Sequence, residues 1–404
     1  MVSRVDVIRV TECRLCDSPD LDLVVSFTPT PPGDHYITPG RHLEPQPCYP
    51  LDVMVCRGCG AVQLADTVDP KLIYPEYLYT TSVSKGLDKH FQDYATSVVE
   101  RLRPGLGAFV VDIGSNDGTL LKAFKAKGCT VFGIEPAREI ALKSGVNVWC
   151  EFFSAQVGKE LRTQRGAADI ITANHIMANV ADLHDFVGGV KHLLAKDGTF
   201  VFETGYWPAI MGGHLLDTIE HEHIHYFAVK PLERLFHRHG LKLMHVELNE
   251  VKGGSLRGYV QHEHMGWMDQ SVWDALEGEA VFTESSHLSA WANRQNHLEQ
   301  QIKAVIAQSD NEIWVGYGAA VGSTLQLYQF GLGEKLLCLV DANPAKHGRL
   351  SPGYHLRVTS PDELRAINPD RIVILAWRYA EMIQQQHHEF AGKFLTLLPE
   401  MKTS

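Results

Sequence analysis

The stretch Val110-Val111-Asp112-Ile113-Gly114-Ser115-Asn116-Asp117-Gly118 constrains the fold of this 404-residue chain more than any other. An apolar, β-favouring run reaches an acid and then two glycines four residues apart. Thr119-Leu120-Leu121-Lys122-Ala123-Phe124 then opens a helical pattern. A buried strand that turns through glycine directly into a helix is the first half of a crossover unit, so the chain is committed to a parallel sheet with covered faces. Val131-Phe132-Gly133-Ile134 follows as the next strand and ends at Glu135. Asp169-Ile170-Ile171-Thr172-Ala173-Asn174 and Gly198-Thr199-Phe200-Val201-Phe202-Glu203-Thr204 read as the fourth and fifth. From about residue 310 the alternation restarts, with Ile313-Trp314-Val315-Gly316, Leu336-Leu337-Cys338-Leu339-Val340-Asp341 and Ile372-Val373-Ile374-Leu375. Residues 268–309 between the two blocks read as one or two amphipathic linking helices.

The first glycine turn carries chemistry as well as geometry. Glycine lets a backbone approach a ligand closely, and Asp112 can hold an ammonium group. Glu135, at the end of the next strand, is placed to accept hydrogen bonds from both hydroxyls of a ribose. A dinucleotide would use the same strand, turn and acid, but with GxGxxG spacing. Here the spacing is GxxxG, and Asp117 in the turn would repel a pyrophosphate. The acidic-GxxxG arrangement fits class I methyltransferases, whose S-adenosylmethionine is a sulfonium cation. The expected cofactor-binding set is Asp112, Gly114, Asn116, Asp117, Gly118, Glu135 and Asn174.

Four of the eight cysteines form two CxxC pairs, Cys13/Cys16 and Cys56/Cys59. Two such turns about forty residues apart match a four-thiolate zinc site, closed and therefore structural. A single redox CxxC would not explain both pairs. The predicted architecture is α/β in three parts: an N-terminal zinc-binding domain (1–70), a central class I methyltransferase Rossmann-like domain (71–265), and, after a helical linker (266–309), a C-terminal Rossmann-like domain (310–404). A net charge of −11 argues against nucleic acid as a partner. No apolar run approaches the roughly 20 residues of a membrane span. The N-terminus lacks the apolar core of a secretory signal, so the expected location is cytoplasmic, as a monomer or simple homo-oligomer.

Several segments together resemble the sugar C-methyltransferases that act on nucleotide-linked keto-deoxysugars. They are the two CxxC pairs, Tyr77-Leu78-Tyr79-Thr80-Thr81-Ser82, Glu220-His221-Glu222-His223-Ile224-His225-Tyr226-Phe227 and Gly253-Gly254-Ser255-Leu256-Arg257. Gly316-Tyr317-Gly318-Ala319-Ala320, Asp341-Ala342-Asn343-Pro344 and Ile374-Leu375-Ala376-Trp377 follow in the same order along nearly the whole chain. The resemblance implies that His223 removes a proton from the carbon beside the keto group, expected to be C-3, and that the resulting enolate takes the methyl group directly. Glu222 would bind a sugar hydroxyl or adjust the imidazole, and Tyr79 would hydrogen-bond the enolate oxygen. The chemistry agrees independently: methylating carbon needs a carbanion equivalent, and a base working near neutrality suggests histidine. His221, His223 and His225 alternate, which alone would equally suit a metal cluster or a polar loop. The family has tyrosine where this chain has Glu220, and often histidine where Asn179 stands. Glu220 is expected to raise the pKa of His223.

Gly316-Tyr317-Gly318-Ala319-Ala320-Val321-Gly322 follows a strand and opens a helix, and Asp341 ends the next strand. Alone it suggests an NAD-dependent oxidoreductase, although the spacing is GxGxxxG. The resemblance implies instead that this domain holds the nucleotide and pyrophosphate of the acceptor. Gly318, Ser323 and Thr324 are the expected contacts there, with Asn179, Tyr226 and Arg257 nearer the sugar. Transfer to oxygen or nitrogen of a sugar is the alternative within methyltransferases.

Overall fold

A computed structural model describes residues 6–73 and 86–403. In the N-terminal part, Leu21–Thr30 (β2), Tyr49–Cys56 (β3) and Val62–Leu64 (β4) form an antiparallel sheet. Val7–Arg9 (β1) pairs separately with Asp66–Val68 (β5). Alternate β3 residues Tyr49, Leu51, Val53 and Val55 are buried, the period-two pattern of a strand with one face on a core.

The central sheet comprises Phe109–Ile113 (β6), Thr130–Ile134 (β7), Val148–Trp149 (β8), Ala168–Asn174 (β9), Leu194–Gly205 (β10), Leu241–Asn249 (β12) and Ser255–His262 (β13). Their spatial order is β12-β13-β10-β9-β6-β7-β8. The strands from β10 to β8 are mutually parallel, and β13 runs antiparallel between β10 and β12. Val110, Val111, Ile170, Ile171, Phe200 and Val201 are all fully buried, because helices cover both faces. The chain steps from β6 to β7 on one side and later to β9 on the other. A crevice therefore opens at the carboxyl ends of β6 and β9, the usual ligand position in such sheets.

The zinc-binding part is not a detached bead. His225–Tyr226 (β11), from the central part, adds as the edge strand beside β4. Arg234 and Arg238, on the helix Val229–Arg238, donate to the carbonyls of Gly58 and Leu15 in the two cysteine turns. Buried Glu279 accepts from the Val229 and Lys230 amides, capping that helix with a negative charge where its dipole favours one.

Two helices, Gln270–Glu279 and Ser285–Ala307, lead to the second parallel sheet. Its strands are Trp314–Tyr317 (β14), Leu336–Val340 (β15), Val358–Thr359 (β16), Arg371–Ile374 (β17), Phe394–Thr396 (β18) and Lys402–Thr403 (β19). They run in the order β16-β15-β14-β17-β18-β19, with only β19 antiparallel. One buried cluster joins Val53 and Leu64 of the first sheet to Trp207, Trp291 and Leu339, so the first and last parts share a core. Among the described residues no helix is long and apolar enough to cross a membrane.

Candidate active site

The four paired cysteines converge. Cys13 and Cys59 sulfurs lie 3.6 Å apart, Cys16 and Cys56 sulfurs 3.5 Å, and all four lie within 4.8 Å of one another. A tetrahedral zinc with bonds of about 2.3 Å requires sulfur separations of about 3.7 Å, so the donors fit that ion. The turns are made for it. The Asp17 amide donates to the Cys13 carbonyl and the Gly60 amide to the Cys56 carbonyl, with Asp17 and Gly60 both in the left-handed region. Among the described residues this is the one such cluster. His221 and His225 instead bond the carbonyls of Tyr49 and Val180, which fixes them as buried framework.

At the crevice of the central sheet, Gly114 has φ +72° and a Cβ there would sit 2.3 Å from Ile176 Cδ1. The glycine is required because the segment after β9 folds directly over the turn. Asp112 is buried and accepts from Thr172 Oγ1 at 2.7 Å; burial pushes its carboxyl up to about 7. Both Glu135 oxygens accept main-chain amides, from Asn116 at 3.0 Å and Ala137 at 2.8 Å, leaving lone pairs that hydroxyls can use. Asn116 takes a left-handed turn at φ 47°, and Gly118 does so at φ 74° against Ser144. Asp117 does not present a free charge: its carboxylate accepts from the Thr119 amide and hydroxyl at the helix start. Both side-chain polar atoms of Asn174, and Ser115 Oγ, are buried without a hydrogen-bond partner. Buried polar groups left unpaired at the mouth of a glycine turn are what a polar ligand would satisfy. The residues present thus fit a nucleoside-type cofactor.

The Glu220-to-Tyr226 segment lies beside this crevice. The Ile224 amide donates to Ala178 O, bringing it against the turn that contains Asn179. His223 Nδ1 lies 3.0 Å from the Thr218 carbonyl and 3.2 Å from Glu220 Oε1. The carbonyl can only accept, so Nδ1 carries the proton and Nε2 keeps its lone pair. Burial lowers the His223 pKa, opposed by the Thr218 carbonyl and Glu222. The rise expected from Glu220 does not occur. Burial and neighbouring carboxylates push Glu220 itself up to about 8, so it is largely protonated near neutrality and brings little charge to the imidazole. Burial, reinforced by Glu220, pushes Glu222 up to about 8 as well. Tyr226 is buried, its ring 5.9 Å from that of Trp207 and its hydroxyl toward the Glu220 backbone. Tyr79 and the rest of Tyr77–Ser82 lie outside the described residues.

Arg257, expected at the substrate, is occupied otherwise. Its Nε and Nη2 donate to Glu203 Oε2 at 3.1 and 2.8 Å, its Nη1 donates to Glu247 at 3.3 Å, and it stacks 4.0 Å over Tyr94. The C-terminal glycine turn is likewise a packing junction. Gly318 has φ +114° and a Cβ there would lie 2.6 Å from Ala376 Cβ. Ser323 Oγ donates to Gly318 O and Thr324 Oγ1 to Gly33 O, both buried, so neither hydroxyl is offered to a phosphate. A Cβ at Gly322 would meet the Asp217 carbonyl at 2.2 Å, which places that carbonyl over the helix start. Asp217 also receives Trp377 Nε1 and both terminal nitrogens of Arg378, tying the two parallel sheets together.

Sequence reading missed Lys252, Asp34, Asp217, His90, His175 and Glu203. Lys252, in a left-handed turn at φ 52°, is under the electrostatic influence of Glu220, Glu203 and Glu222. Asp34 comes from the first part of the chain and acts on both Glu220 and Glu222. Glu203 had a legible signal: a single charge inside the otherwise apolar strand Phe200–Thr204.

Seven strands in this order, with a glycine turn after β6 and an acid after β7, define an enzyme of the S-adenosylmethionine-dependent methyltransferase class. Three family models match in succession: a zinc binding domain over residues 13–74, a methyltransferase domain over 87–246 and a C-methyltransferase C-terminal domain over 250–399. C-methyltransferase NovU of Streptomyces niveus is 31% identical over 410 residues, spanning 98% of this chain and 97% of its own. The chain belongs to the C-methyltransferase family, and its four-cysteine cluster is the zinc site of that architecture. Similar solved structures include an S-adenosylmethionine-dependent methyltransferase from Clostridium acetobutylicum (TM-score 0.35, 12% identity, 48% of this chain and 95% of that one). Magnesium protoporphyrin IX methyltransferase from Synechocystis, with bound SAH, is another (TM-score 0.34, 11% identity, 43% and 81%). Family membership replaces the oxidoreductase alternative and transfer to oxygen or nitrogen.

Proposed function

We propose that this C-methyltransferase acts on a nucleotide-linked 4-keto-deoxysugar and methylates the carbon beside the keto group, C-3, with His223 as the base. The observation that carries the mechanism is the His223 hydrogen-bond pattern. Nδ1–H is held by the Thr218 carbonyl, so Nε2 is the basic atom, and burial keeps the ring neutral at working pH. Bound S-adenosylmethionine would supply an electrophilic methyl group, its methyl–sulfur bond breaking with the electron pair left on a neutral thioether. Nε2 takes the α-proton of the sugar, whose electron pair moves into the keto group and then forms the new carbon–carbon bond. Protonated Glu222 can donate to a sugar oxygen, because a neutral carboxyl retains an O–H that a carboxylate lacks. Tyr79 is proposed at the enolate oxygen.

Asp112, Gly114, Asn116, Gly118, Glu135 and Asn174 are the proposed cofactor cradle, with Asp117 shaping its turn. Asn179 and Tyr226 border the sugar. Ser323 and Thr324 are not proposed for the diphosphate, because both hydroxyls are engaged by main-chain carbonyls. Gly253 leaves room for Arg378, whose Nε would lie 3.1 Å from a Cβ there. The test is proton exchange. In deuterated buffer with SAH bound and no methyl donor, a dTDP-linked 4-keto-6-deoxy sugar should lose its C-3 proton signal at an enzyme-dependent rate. Retention of that signal alongside methyl transfer would refute the enolate route.

A further inference from the structure

A pocket of about 210 Å³ lies between the helix Ser285–Ala307 and the chain that leaves β18, and no step of the proposed reaction uses it. Arg294, Gln295 and Leu298 line it from one face of the helix, His214 from the turn after Trp207–Gly212, and residues 399–401 from the segment after β18. Because β18 runs parallel to β17, residues 399–401 lie beyond the carboxyl ends of parallel strands, the side on which such sheets bind ligands.

Gln295 is the unusual residue. It is 3% exposed, yet neither its amide oxygen nor its amide nitrogen has a hydrogen-bond partner. A buried amide unpaired at both ends costs more than an apolar side chain of that size, so it calls for a partner. His214 Nδ1 is a further buried atom of the lining without one. Arg294 is exposed and makes no ion pair among the described residues, while the Glu400 carboxylate in the same lining is paired with Lys402 at 2.7 Å.

These groups define a ligand. To satisfy both ends of Gln295 it must set a donor beside an acceptor on one planar edge, and to suit Arg294 it must carry negative charge. A nucleobase with its phosphates does both. A uracil-type base presents N3–H beside a carbonyl, and an amide side chain meets such an edge in two parallel hydrogen bonds. The pocket also borders the central crevice. Leu215, next to His214, packs on Gly253, where a Cβ would lie 2.8 Å from Leu215 Cδ1. Asp217, which receives Trp377 and Arg378, is three residues from His214 and so within about 11 Å of it, a span that a nucleoside diphosphate covers.

We propose that this pocket receives the base of the acceptor's nucleotide, a uracil-type pyrimidine whose N3–H and carbonyl pair with the Gln295 amide, with Arg294 beside its phosphates. Gln295 is then a specificity-determining residue. The assignment rests on the nucleotide-linked acceptor for its ligand, but binding of the nucleotide alone tests it without turnover.

The full-length zinc-loaded protein, Gln295→Leu and Arg294→Gln are titrated calorimetrically with dTDP, with N3-methyl-dTDP, which lacks the N–H, and with ADP. Wild type should bind dTDP at least about tenfold more tightly than the methylated probe, the cost of an unpaired buried acceptor. Gln295→Leu should bring that ratio close to one, chiefly through weaker dTDP, with no fall in Tm, since it removes an unpaired amide. Arg294→Gln should weaken both probes alike and leave the ratio unchanged. In turnover assays dTDP should compete with a dTDP-linked 4-keto-6-deoxy sugar.

Equal wild-type affinity for the two probes, a ratio that survives in Gln295→Leu, tighter binding of ADP than of dTDP, or inhibition not competitive with the sugar nucleotide would each overturn the assignment. The methylated probe decides on wild type alone, should Gln295→Leu fold poorly. If dTDP binds through Gln295 but no nucleotide-linked keto sugar is turned over, the keto-sugar reading fails and the base pocket stands. Turnover of a dTDP-linked sugar without a Gln295-dependent preference has the reverse meaning, so the two failures are distinguishable.

Discussion

His223 and Glu222 are pushed in opposite directions by one cause, because burial disfavours whichever form is charged. The proposed base stays deprotonated and the neighbouring acid stays protonated at the same pH, which is the division of labour the proposed enolate route needs. His223→Asn should lower kcat by at least about 100-fold, the usual share of a general base, while SAH still binds. Steady-state kinetics with calorimetric SAH titration checks this; unchanged turnover removes His223 from the base role. The raised acids also set a stability trend. Between the ordinary carboxylate pKa of about 4 and their own values of about 8, Glu220 and Glu222 keep protons in the folded chain that the unfolded chain has released. They therefore cost increasing stability as pH rises through that window. Glu222→Gln should melt above wild type, by a margin that grows from about pH 5 to about pH 9 in thermal-shift scans. A margin that shrinks with pH would contradict the raised acid.

At the scale of elements, the cysteine turns do more than close a small domain. Helix Val229–Arg238 leans on them through Arg234 and Arg238, and β11, which follows His223 directly, completes the sheet beside β4. The metal thus bears on the placement of the proposed base. Cys56→Ser should release one zinc per chain, lower Tm and depress turnover together, read by metal analysis and calorimetry on one sample. A zinc-free variant with full activity would show that the link between site and base is slack. Zinc knuckle, glycine turn and the acid after β7 were legible in the sequence because each is a local pattern whose spacing meets a geometric requirement. Ser323 and Thr324 show where local pattern misleads. A helix start after glycine looks open to a phosphate, but Gly33 and Asp217, distant in sequence, pack onto it.

At the scale of the whole molecule, the candidate site is assembled from all parts of the chain. Asp34 comes from the first, Glu220, Glu222, His223 and Lys252 from the middle, and Arg378 from the last, with Asp217 as the clasp. The class of fold was readable from sequence, and so was the segment that bears the proposed base. The convergence of Asp34, Lys252 and Arg378 was not, because nothing in a linear pattern encodes which surfaces of three domains meet. Glu203 and Arg257 are likewise distant in sequence and meet only through the pairing of β10 with β13.

The central claim is carbon as the acceptor, beside a keto group on a nucleotide-linked sugar. It is tested most directly by NMR of the product formed from methyl-labelled S-adenosylmethionine and a dTDP-linked 4-keto-6-deoxy sugar. The expected result is a labelled methyl bonded to C-3, with no proton left on that carbon. A labelled methyl on oxygen or nitrogen, or no transfer to any of a panel of dTDP-, GDP- and CDP-linked keto sugars, would contradict it.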